Sequence, residues 1–573
     1  MWNIILDGLF IFNEYKVGIL IFFVCIFGLG FFQVSLLANT KLDAKLGVFA
    51  SLGIGSINLC IISYLLVVAA HFWPRLLQAG SFAVLLLAGF LPLKVLISEK
   101  KKISFNHQMV AAVAGVLLLL IIRLAYLRHI ILPPYSDSPI HYQIVAGFID
   151  PDAGYDSKLS LENIFTNYYH FGFHGITTWT ASISGLDPLN VIPLLGQLFL
   201  VIAPVSVAAL TYAATNNFHG ALFSGLLAAV GWFMPAFSAN WGKYPALTAI
   251  AVLPVVLALP WLYQYRRDRN SSFLFYALVL VIGIVLIHSR ILICLLLAVL
   301  CYFLSGKFQF KERLSFFQSI RFSLLFAISL WPLSQFFLEF YKGLPIWIIL
   351  LVLLPFAFQS HPRMTTGIFF FMFGLWFVDL IPNLLKLNNS LLDRQFLEML
   401  LYIPCSVIGG IGFDGLIRKL EPNQILKWGT VVALVGGVMF NFQHHNSFFP
   451  DSCCDYFTQD DQLAFQWIQN NESTHTLFII PTFSEGDKIY GTDAGIWITP
   501  ITKIATNKLS FNTKWDSDNV FSEICRASEN ETYIYAGATK YSFDKVQLSN
   551  QKWLQAVFRA GTVNIYKVDE CAK

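Results

Sequence analysis

The sequence predicts a polytopic α-helical membrane protein with about 14 transmembrane helices and a small C-terminal α/β domain. Hydrophobic residues make up 56% of the 573 residues and charged residues only 13%, whereas a soluble domain is roughly 25% charged. The charges are also uneven, because residues 446–573 carry 16 acids and 11 bases while residues 1–445 carry 18 acids and 27 bases. A cytosolic enzyme, an extracellular binding module and a disordered scaffold are therefore excluded. We predict a membrane domain at 1–445 and a soluble extracytoplasmic domain at 446–573.

Apolar runs long enough to cross about 30 Å of hydrocarbon recur throughout the first domain. The predicted spans are residues 17–39, 47–73, 80–97, 109–127, 189–214, 220–239, 245–265, 273–289, 291–306, 322–342, 344–359, 365–383, 396–417 and 428–444.

Short loops rich in lysine and arginine indicate the orientation, since such loops stay in the cytoplasm. All of these basic loops fall on one side when the spans alternate. They lie near residues 41–45, 100–102, 266–269, 307–321 and 418–427. The N-terminus, the long loop 128–188 and the C-terminal domain are then extracytoplasmic. We therefore predict a multi-pass protein of the cell (plasma or inner) membrane.

The C-terminal region has the pattern of a small α/β domain. Residues 460–470 have helical spacing, and residues 476–480, 532–536 and 562–568 are the β-branched and aromatic runs typical of strands. The sequence of this region contains neither a Gly-rich phosphate loop nor a metal-ligand spacing.

The nine cysteines divide between the two domains. Those in the apolar spans are expected to pack as free thiols. Those in the C-terminal domain lie in a compartment that permits disulfides. There we expect either free thiols or one bridge from Cys453 or Cys454 to Cys525.

Ionisable residues at the membrane rim are costly, so each is a functional candidate. Separate stretches bring such residues to the outer face, and the inner face has no comparable acidic or imidazole cluster. These stretches contain Asp137 and His141; Tyr169, His170 and His174; Lys243 and Tyr244; His288 and Arg290; and Asp393 and Arg394.

This combination suits group transfer from a phosphate at the membrane surface. A carboxylate such as Asp137 can act as a general base on an acceptor hydroxyl. Arg394, Arg290 and Lys243 are predicted to bind the donor phosphate and to stabilise it as it leaves. The predicted pocket residues are His141, Tyr169, His170, His174, Tyr244, His288 and Asp393.

Each candidate also has a simpler structural explanation. Asp137 could be a loop or helix-cap carboxylate, the histidines could be interfacial residues with ordinary hydrogen bonds, and the cations could snorkel to headgroups. The four histidines could instead ligate a metal, although no tight ligand spacing supports this. No cofactor is firmly implied, and a divalent cation stays an open alternative.

Four stretches resemble the GT-C superfamily of polytopic glycosyltransferases, which use polyprenyl-phosphate-linked sugars. They are Asp137-x-x-x-His141, Tyr169-His-Phe-Gly-Phe-His174, Asp393-Arg-Gln-Phe with the following Tyr402-Ile-Pro, and Asp493-Ala-Gly-Ile-Trp-Ile498. The chain is most similar to prokaryotic members with a long first outer loop and a C-terminal extracytoplasmic domain. It differs from the family pattern in that Asp137 follows the fourth predicted span rather than the first. It also lacks the Trp-Trp-Asp motif of oligosaccharyltransferases and the paired acids of protein O-mannosyltransferases.

The resemblance implies an inverting glycosyltransferase that moves a sugar from a polyprenyl phosphate to an acceptor on the outer face, with Asp137 as the base. The expected partners are the polyprenyl-phosphate sugar, membrane lipid and a glycan, lipid or protein acceptor, and nucleic acid is not expected. Three other functions stay open: a transporter or flippase of a lipid-linked or anionic substrate, a ligase or polymerase of surface glycans, and a non-enzymatic assembly protein.

Overall fold

The computed structural model describes residues 2–38, 44–99, 107–150, 170–264, 271–308, 314–329, 331, 334, 339–385, 392–444, 448–473, 475–485, 488–527 and 531–569. The helices up to residue 444 are α1 Trp2–Ala38, α2 Ala44–Phe72, α3 Arg75–Glu99, α4 His107–Leu124, α5 Ser138–Ile149, α6 Gly172–Ser184, α7 Pro188–Thr215, α8 Phe218–Leu226, α9 Tyr244–Leu257, α10 Leu259–Gln264, α11 Ser271–Ile287, α12 Ile291–Lys307, α13 Phe316–Ser329, α14 Leu344–Ser360, α15 Pro362–Leu385, α16 Arg394–Leu400, α17 Tyr402–Leu420 and α18 Gln424–His444.

Within the described ranges, nine helical segments are long and apolar enough to cross a membrane. Five shorter apolar helices coincide with further predicted spans. The predicted class, a polytopic helical membrane protein with a small C-terminal sheet domain, is therefore confirmed. The count of 14 spans stays a prediction.

The centre of the bundle is α7, which packs against α2, α4, α8 and α9. Its most apolar stretch is completely buried, whereas α3 and α18 expose much of theirs, including Leu86 and Val432. Such large exposed apolar surfaces would be unfavourable in water. They suit a bundle whose periphery contacts lipid chains.

Two short helices, α5 and α6, hold the predicted outer-loop candidates. They pack against each other and against α7. The start of α7 is fixed by Asp187, whose carboxylate accepts a hydrogen bond from the Leu189 N–H at 2.8 Å. This arrangement sets the loop residues before α5 and α6 against the ends of the long helices.

The C-terminal domain is a six-stranded sheet with helices on it. The strands are β1 Leu477–Glu485, β2 Lys488–Gly491, β3 Ala505–Ser510, β4 Thr532–Ala536, β5 Leu554–Ala560 and β6 Val563–Val568, and the helices are α19 Gln459–Asn471, α20 Ile498–Thr502, α21 Asp518–Ala527 and α22 Lys545–Ser549. The strand order is β2-β1-β4-β6-β5, and β3 also pairs with β1. β1 runs parallel to β3 and β4, and the other pairings are antiparallel.

The predicted helix 460–470 and the predicted strands correspond to α19, β1, β4 and β6, which confirms them. The other three strands were not predicted. β3 has the sequence Ala-Thr-Asn-Lys-Leu-Ser and is largely exposed, so it lacks the apolar run that marks a buried strand.

The predicted bridge from Cys453 or Cys454 to Cys525 is wrong. Cys453 and Cys454 are disulfide-bonded to each other, and each sulfur can form only one such bond. The five cysteines in the apolar helices are buried and free, as expected from their sequence context.

Candidate functional site

A cavity of about 370 Å³ lies at the end of the bundle where several helices begin. Its lining residues are Asp137, His141, His170, Lys243, Pro245, Ala246, His288, Ser289, Arg290, Asp393, Gln395, Phe396 and Met399. They come from the starts of α5, α9 and α16, from the residues before α6, and from the turn between α11 and α12. The structure therefore brings together residues that are up to 262 positions apart in the chain.

An ion pair between Asp137 and Lys243 stands at the cavity wall. The Lys243 Nζ is 2.8 Å from the Asp137 Oδ2, and the two side chains are 27% and 23% exposed. Asp137 precedes α5 but its side chain makes no capping hydrogen bond to that helix. Burial lowers the pKa of Lys243, but the charge of Asp137 and its hydrogen bond raise it more, so the ammonium stays charged. The carboxylate is therefore not a helix cap, and its partner is the lysine.

The turn before α9 is what places Lys243 beside α5. Gly242 has a φ of +61°, and a Cβ there would lie 2.6 Å from the Ser138 Oγ and 3.0 Å from the Pro134 carbonyl oxygen. The backbone at residue 242 therefore lies directly against the start of α5. Only glycine combines this φ with this close approach at low cost.

A second ion pair joins Arg290, which precedes α12, to Asp393, which precedes α16. The other Asp393 oxygen accepts a hydrogen bond from the Phe396 N–H at 2.8 Å, so this aspartate is also a helix cap. The four charged side chains that line the cavity are two acids and two bases, and their formal charges cancel.

Four histidines lie near these ion pairs, and they contact one another two by two. The His141 Nδ1 is 3.0 Å from the His174 Nε2, and the rings of His170 and His288 have centroids 4.2 Å apart. Burial lowers the pKa of His141 to about 4 and that of His170 to about 3, and it lowers the pKa of His174 well below the ordinary value. These three rings are therefore neutral at pH 7.

His288 lines the cavity, and its Nδ1 is buried and has no hydrogen-bond partner among the described residues. Buried polar atoms in native structures are nearly always paired, so this nitrogen is an exception. In the described part of the chain, no group of three or more His, Cys, Asp or Glu side chains could hold a metal ion.

Two predicted pocket residues are buried behind the cavity wall. His174 is completely buried behind His141 and does not line the cavity. Tyr244 is also completely buried, and its ring stacks on Phe173 at a centroid distance of 6.0 Å. Both support the wall from behind.

Arg394 lies outside the lining residues as well. Its Nε is 2.8 Å from the Glu398 Oε1, one helical turn later, and its side chain is 54% exposed. Its predicted contact with a donor phosphate stays a prediction. Tyr169 lies outside the described residues.

Several lining residues were not predicted from the sequence, namely Pro245, Ala246, Ser289, Gln395, Phe396 and Met399. The sequence patterns that mark the starts of helices could have pointed to some of them. Asp393 three residues before Phe396 is an N-cap spacing, and Pro245 occupies a favoured first-turn position. These patterns mark helix N-termini at the same membrane face as the predicted candidates.

The helix starts add a positive electrostatic contribution. The first turns of α5 and α9 and the residue before α12 line the cavity, and none of these three helices has a side-chain cap bonded to its first N–H groups. Each helix N-terminus acts as roughly half a positive charge. Because the side-chain charges cancel, these ends leave the cavity suited to an anion.

Comparison with known proteins gives a family and a similar structure. Residues 44–333, just over half of the chain, match the family model described as "Family of unknown function (DUF6541)". No curated protein matches the chain. Among solved structures, the cryo-EM structure of the arabinofuranosyltransferase AftD from Mycobacteria is similar over 82% of this chain and 40% of that chain, at 13% sequence identity and a TM-score of 0.36. The matched part of this chain therefore covers less than half of the length of that protein.

Proposed function

Because the chain belongs to the DUF6541 family, whose description assigns no function, we propose its activity from the cavity: it is a membrane glycosyltransferase that moves a sugar from a polyprenyl phosphate to an acceptor on the extracytoplasmic face. Asp137 is the general base. The single observation that carries the proposal is the Asp137–Lys243 ion pair at 2.8 Å, in a cavity with a second cation, Arg290, and with converging helix starts.

The donor phosphate is placed by the positive groups of the cavity. Lys243 and Arg290 precede α9 and α12, so each cation and the N-terminus behind it act on the same space. His288 also lines the cavity. The cavity of about 370 Å³ is within the range of pockets that enclose a small molecule, roughly 300–1,000 Å³.

The chemical step is a displacement at the anomeric carbon. The acceptor hydroxyl attacks that carbon, the bond from the carbon to the phosphate oxygen breaks, and the phosphate leaves with the electron pair. The hydroxyl proton passes to the Asp137 carboxylate. Lys243 and Arg290 stabilise the charge that develops on the leaving phosphate. A single displacement inverts the configuration of the sugar.

Donor binding also prepares the base. Without donor, Lys243 neutralises Asp137. A phosphate within reach of the lysine competes with the carboxylate for the ammonium, and the carboxylate is then available to the acceptor. Arg290 would be released from Asp393 in the same way. Arg394 would have to leave Glu398 to contribute, so we assign it a role at the rim of the cavity.

The test is a transfer assay with the full chain in lipid nanodiscs, a radiolabelled polyprenyl-phosphate sugar, and a panel of glycan, lipid and peptide acceptors. We expect Asp137→Asn to reduce transfer by about 10²–10⁴-fold while donor binding is retained. Asp187→Asn is the matched control, because Asp187 is an aspartate of the same loop that only caps α7, and asparagine caps equally well.

Two outcomes would contradict the proposal. Near-normal transfer by Asp137→Asn would remove the assigned base. Movement of the intact donor across proteoliposome membranes, with no sugar released by any variant, would favour the transporter alternative.

A further inference from the structure

The C-terminal domain contacts both segments that form the Asp137–Lys243 ion pair. We infer that this domain positions the pair, with Trp497 acting through α5 and Asn240 acting through the turn that bears Lys243. The inference rests on the proposed role of Asp137 as the base. Both are positioning residues, since neither lines the cavity.

The first contact is between Trp497 and Tyr142. Their ring centroids are 6.0 Å apart, and Tyr142 belongs to α5, the helix that begins directly after Asp137. Trp497 is only 1% exposed and belongs to the core cluster of the C-terminal domain, against which Tyr142 packs. A displacement of this core therefore moves α5 and the carboxylate at its start.

Trp497 is itself held by a buried carboxylate. Asp493 is completely buried and accepts hydrogen bonds from the Gly495 N–H at 2.8 Å, the Gly537 N–H at 2.9 Å and the Ser542 hydroxyl at 2.7 Å. These bonds tie the single turn Ala494–Trp497 to the loop after β4. The sequence Asp493-Ala-Gly-Ile-Trp497 thus builds a rigid support for the tryptophan, and this accounts for a motif that the chemistry itself does not use.

The second contact is made by Asn240, three residues before Lys243. Its buried Oδ1 accepts hydrogen bonds from the Tyr126 hydroxyl at 2.8 Å and from the Asp451 N–H at 2.9 Å. The same segment also bonds to the loop before Asp137, because the Tyr135 N–H donates to the Cys454 carbonyl at 2.9 Å. A four-residue stretch at the start of the C-terminal region therefore bonds to the chain on both sides of the ion pair.

Tyr135 is itself in an unusual backbone conformation. Its φ is +67°, in the left-handed region that a bulky side chain rarely adopts. Such a conformation persists only where the surroundings fix it, and here the hydrogen bond from the Tyr135 N–H to Cys454 does so. The loop two residues before Asp137 is thus shaped by the C-terminal segment.

The ion pair can be measured without any activity. A water-soluble carbodiimide joins a contacting carboxylate and amine into an amide, with loss of one water that converts the carbodiimide to its urea, and peptide mass spectrometry detects the link. The full chain in nanodiscs should give an Asp137–Lys243 crosslink, since the groups are 2.8 Å apart and partly exposed. Tyr142→Ala and Trp497→Ala should lose most of this crosslink, and Tyr142→Phe, which keeps the ring, should retain it.

The matched control is Trp553→Ala. Trp553 belongs to the same domain and packs on Phe521 at 5.1 Å, in the separate cluster on the other side of the sheet. It should keep the crosslink. In the transfer assay, Tyr142→Ala should lower kcat by about 10–100-fold without weakening donor binding, because it displaces the base and leaves Lys243 and Arg290 able to bind the phosphate.

The outcomes separate this inference from the proposed function. If folded Tyr142→Ala keeps the full Asp137–Lys243 crosslink, or if Trp553→Ala loses it equally, the positioning role is wrong whatever the protein catalyses. If the crosslinks behave as expected but no variant, including the unaltered chain, transfers sugar, the positioning role stands and the proposed function fails. Tyr142→Ala removes a ring outside the C-terminal core, so it tests the inference even if Trp497→Ala does not fold.

Discussion

Replacing Gly242 by alanine should separate Lys243 from Asp137. The change adds one methyl group at a residue whose φ is +61° and whose backbone lies against the start of α5. The new Cβ would be 2.6 Å from the Ser138 Oγ and 3.0 Å from the Pro134 carbonyl oxygen. The Pro134 carbonyl belongs to the backbone, so it cannot move independently of the loop that leads to Asp137. The Ser138 hydroxyl can rotate away only by giving up its hydrogen bond to that carbonyl.

Two contributions set the size of the effect. An alanine in the left-handed region costs about 1–2 kcal/mol. Ordinary contact begins at 3.4 Å, so the turn must move by about 0.4 Å from the Pro134 carbonyl, and by about 0.8 Å from the Ser138 hydroxyl if that hydroxyl keeps its position. A misplacement of about 1 Å at catalytic groups can cost about 10²-fold in rate. We therefore expect transfer to fall roughly 10- to 100-fold, together with a modest loss of stability.

Gly185→Ala separates the two contributions. Gly185 has a φ of +70°, and a Cβ there meets no atom within 4 Å. This variant therefore has the same backbone cost without the collision. We expect similar melting temperatures for both variants in detergent, but a loss of transfer and of the Asp137–Lys243 crosslink only in Gly242→Ala. Equal transfer by the two variants would refute the argument that the close approach at Gly242 holds the ion pair.

Three further changes have defined expectations. Asp493→Asn should destabilise the C-terminal domain by about 1–3 kcal/mol, because its amide would face N–H and O–H donors such as the Gly537 N–H; denaturant unfolding would measure this, and unchanged stability would contradict it. Asp393→Asn should keep the helix cap but release Arg290 and so tighten donor binding. Asp393→Ala should also lose the cap, which would lower the free energy of unfolding by about 1 kcal/mol. Weaker donor binding by Asp393→Asn would contradict this. Burial lowers the pKa of His141 to about 4, so on acidification the unfolded chain protonates this histidine before the folded protein does. Stability should therefore fall as pH drops from about 6.5 to about 4, by at most about 1.4 kcal/mol per pH unit. His141→Gln should flatten that part of the stability profile measured by thermal unfolding.

The membrane fold and the gathering of the site were predictable because both follow from one-dimensional rules. Apolar runs must be as long as the bilayer is thick, and basic loops stay on one side. Alternating spans then bring Asp137, Lys243, Arg290 and Asp393 to one face. The cavity that these residues line supports this prediction, although the side of the membrane stays a prediction.

The pairing of the charges was not predictable, since it depends on side-chain direction at helix starts. Asp393 is the extended residue before α16 and Arg394 is the first helical residue, so their side chains point in different directions. Asp393 therefore faces Arg290 and the cavity, while its neighbour Arg394 turns to Glu398 one turn later. A sequence shows two adjacent charged residues, but it does not show which of them faces the cavity.

The balance of charge in the cavity explains how one site can bind a phosphate and still activate a base. Two acids and two bases cancel in the absence of ligand, so neither carboxylate is left unpaired in a partly buried place. A donor phosphate replaces the Asp137 carboxylate as the partner of Lys243, and the new ion pair offsets the loss of the old one. The released carboxylate oxygen, which contacted the Lys243 ammonium before, is then free to accept a hydrogen bond from the acceptor hydroxyl. Binding of the donor thus frees the Asp137 carboxylate at the moment when the acceptor hydroxyl must lose its proton.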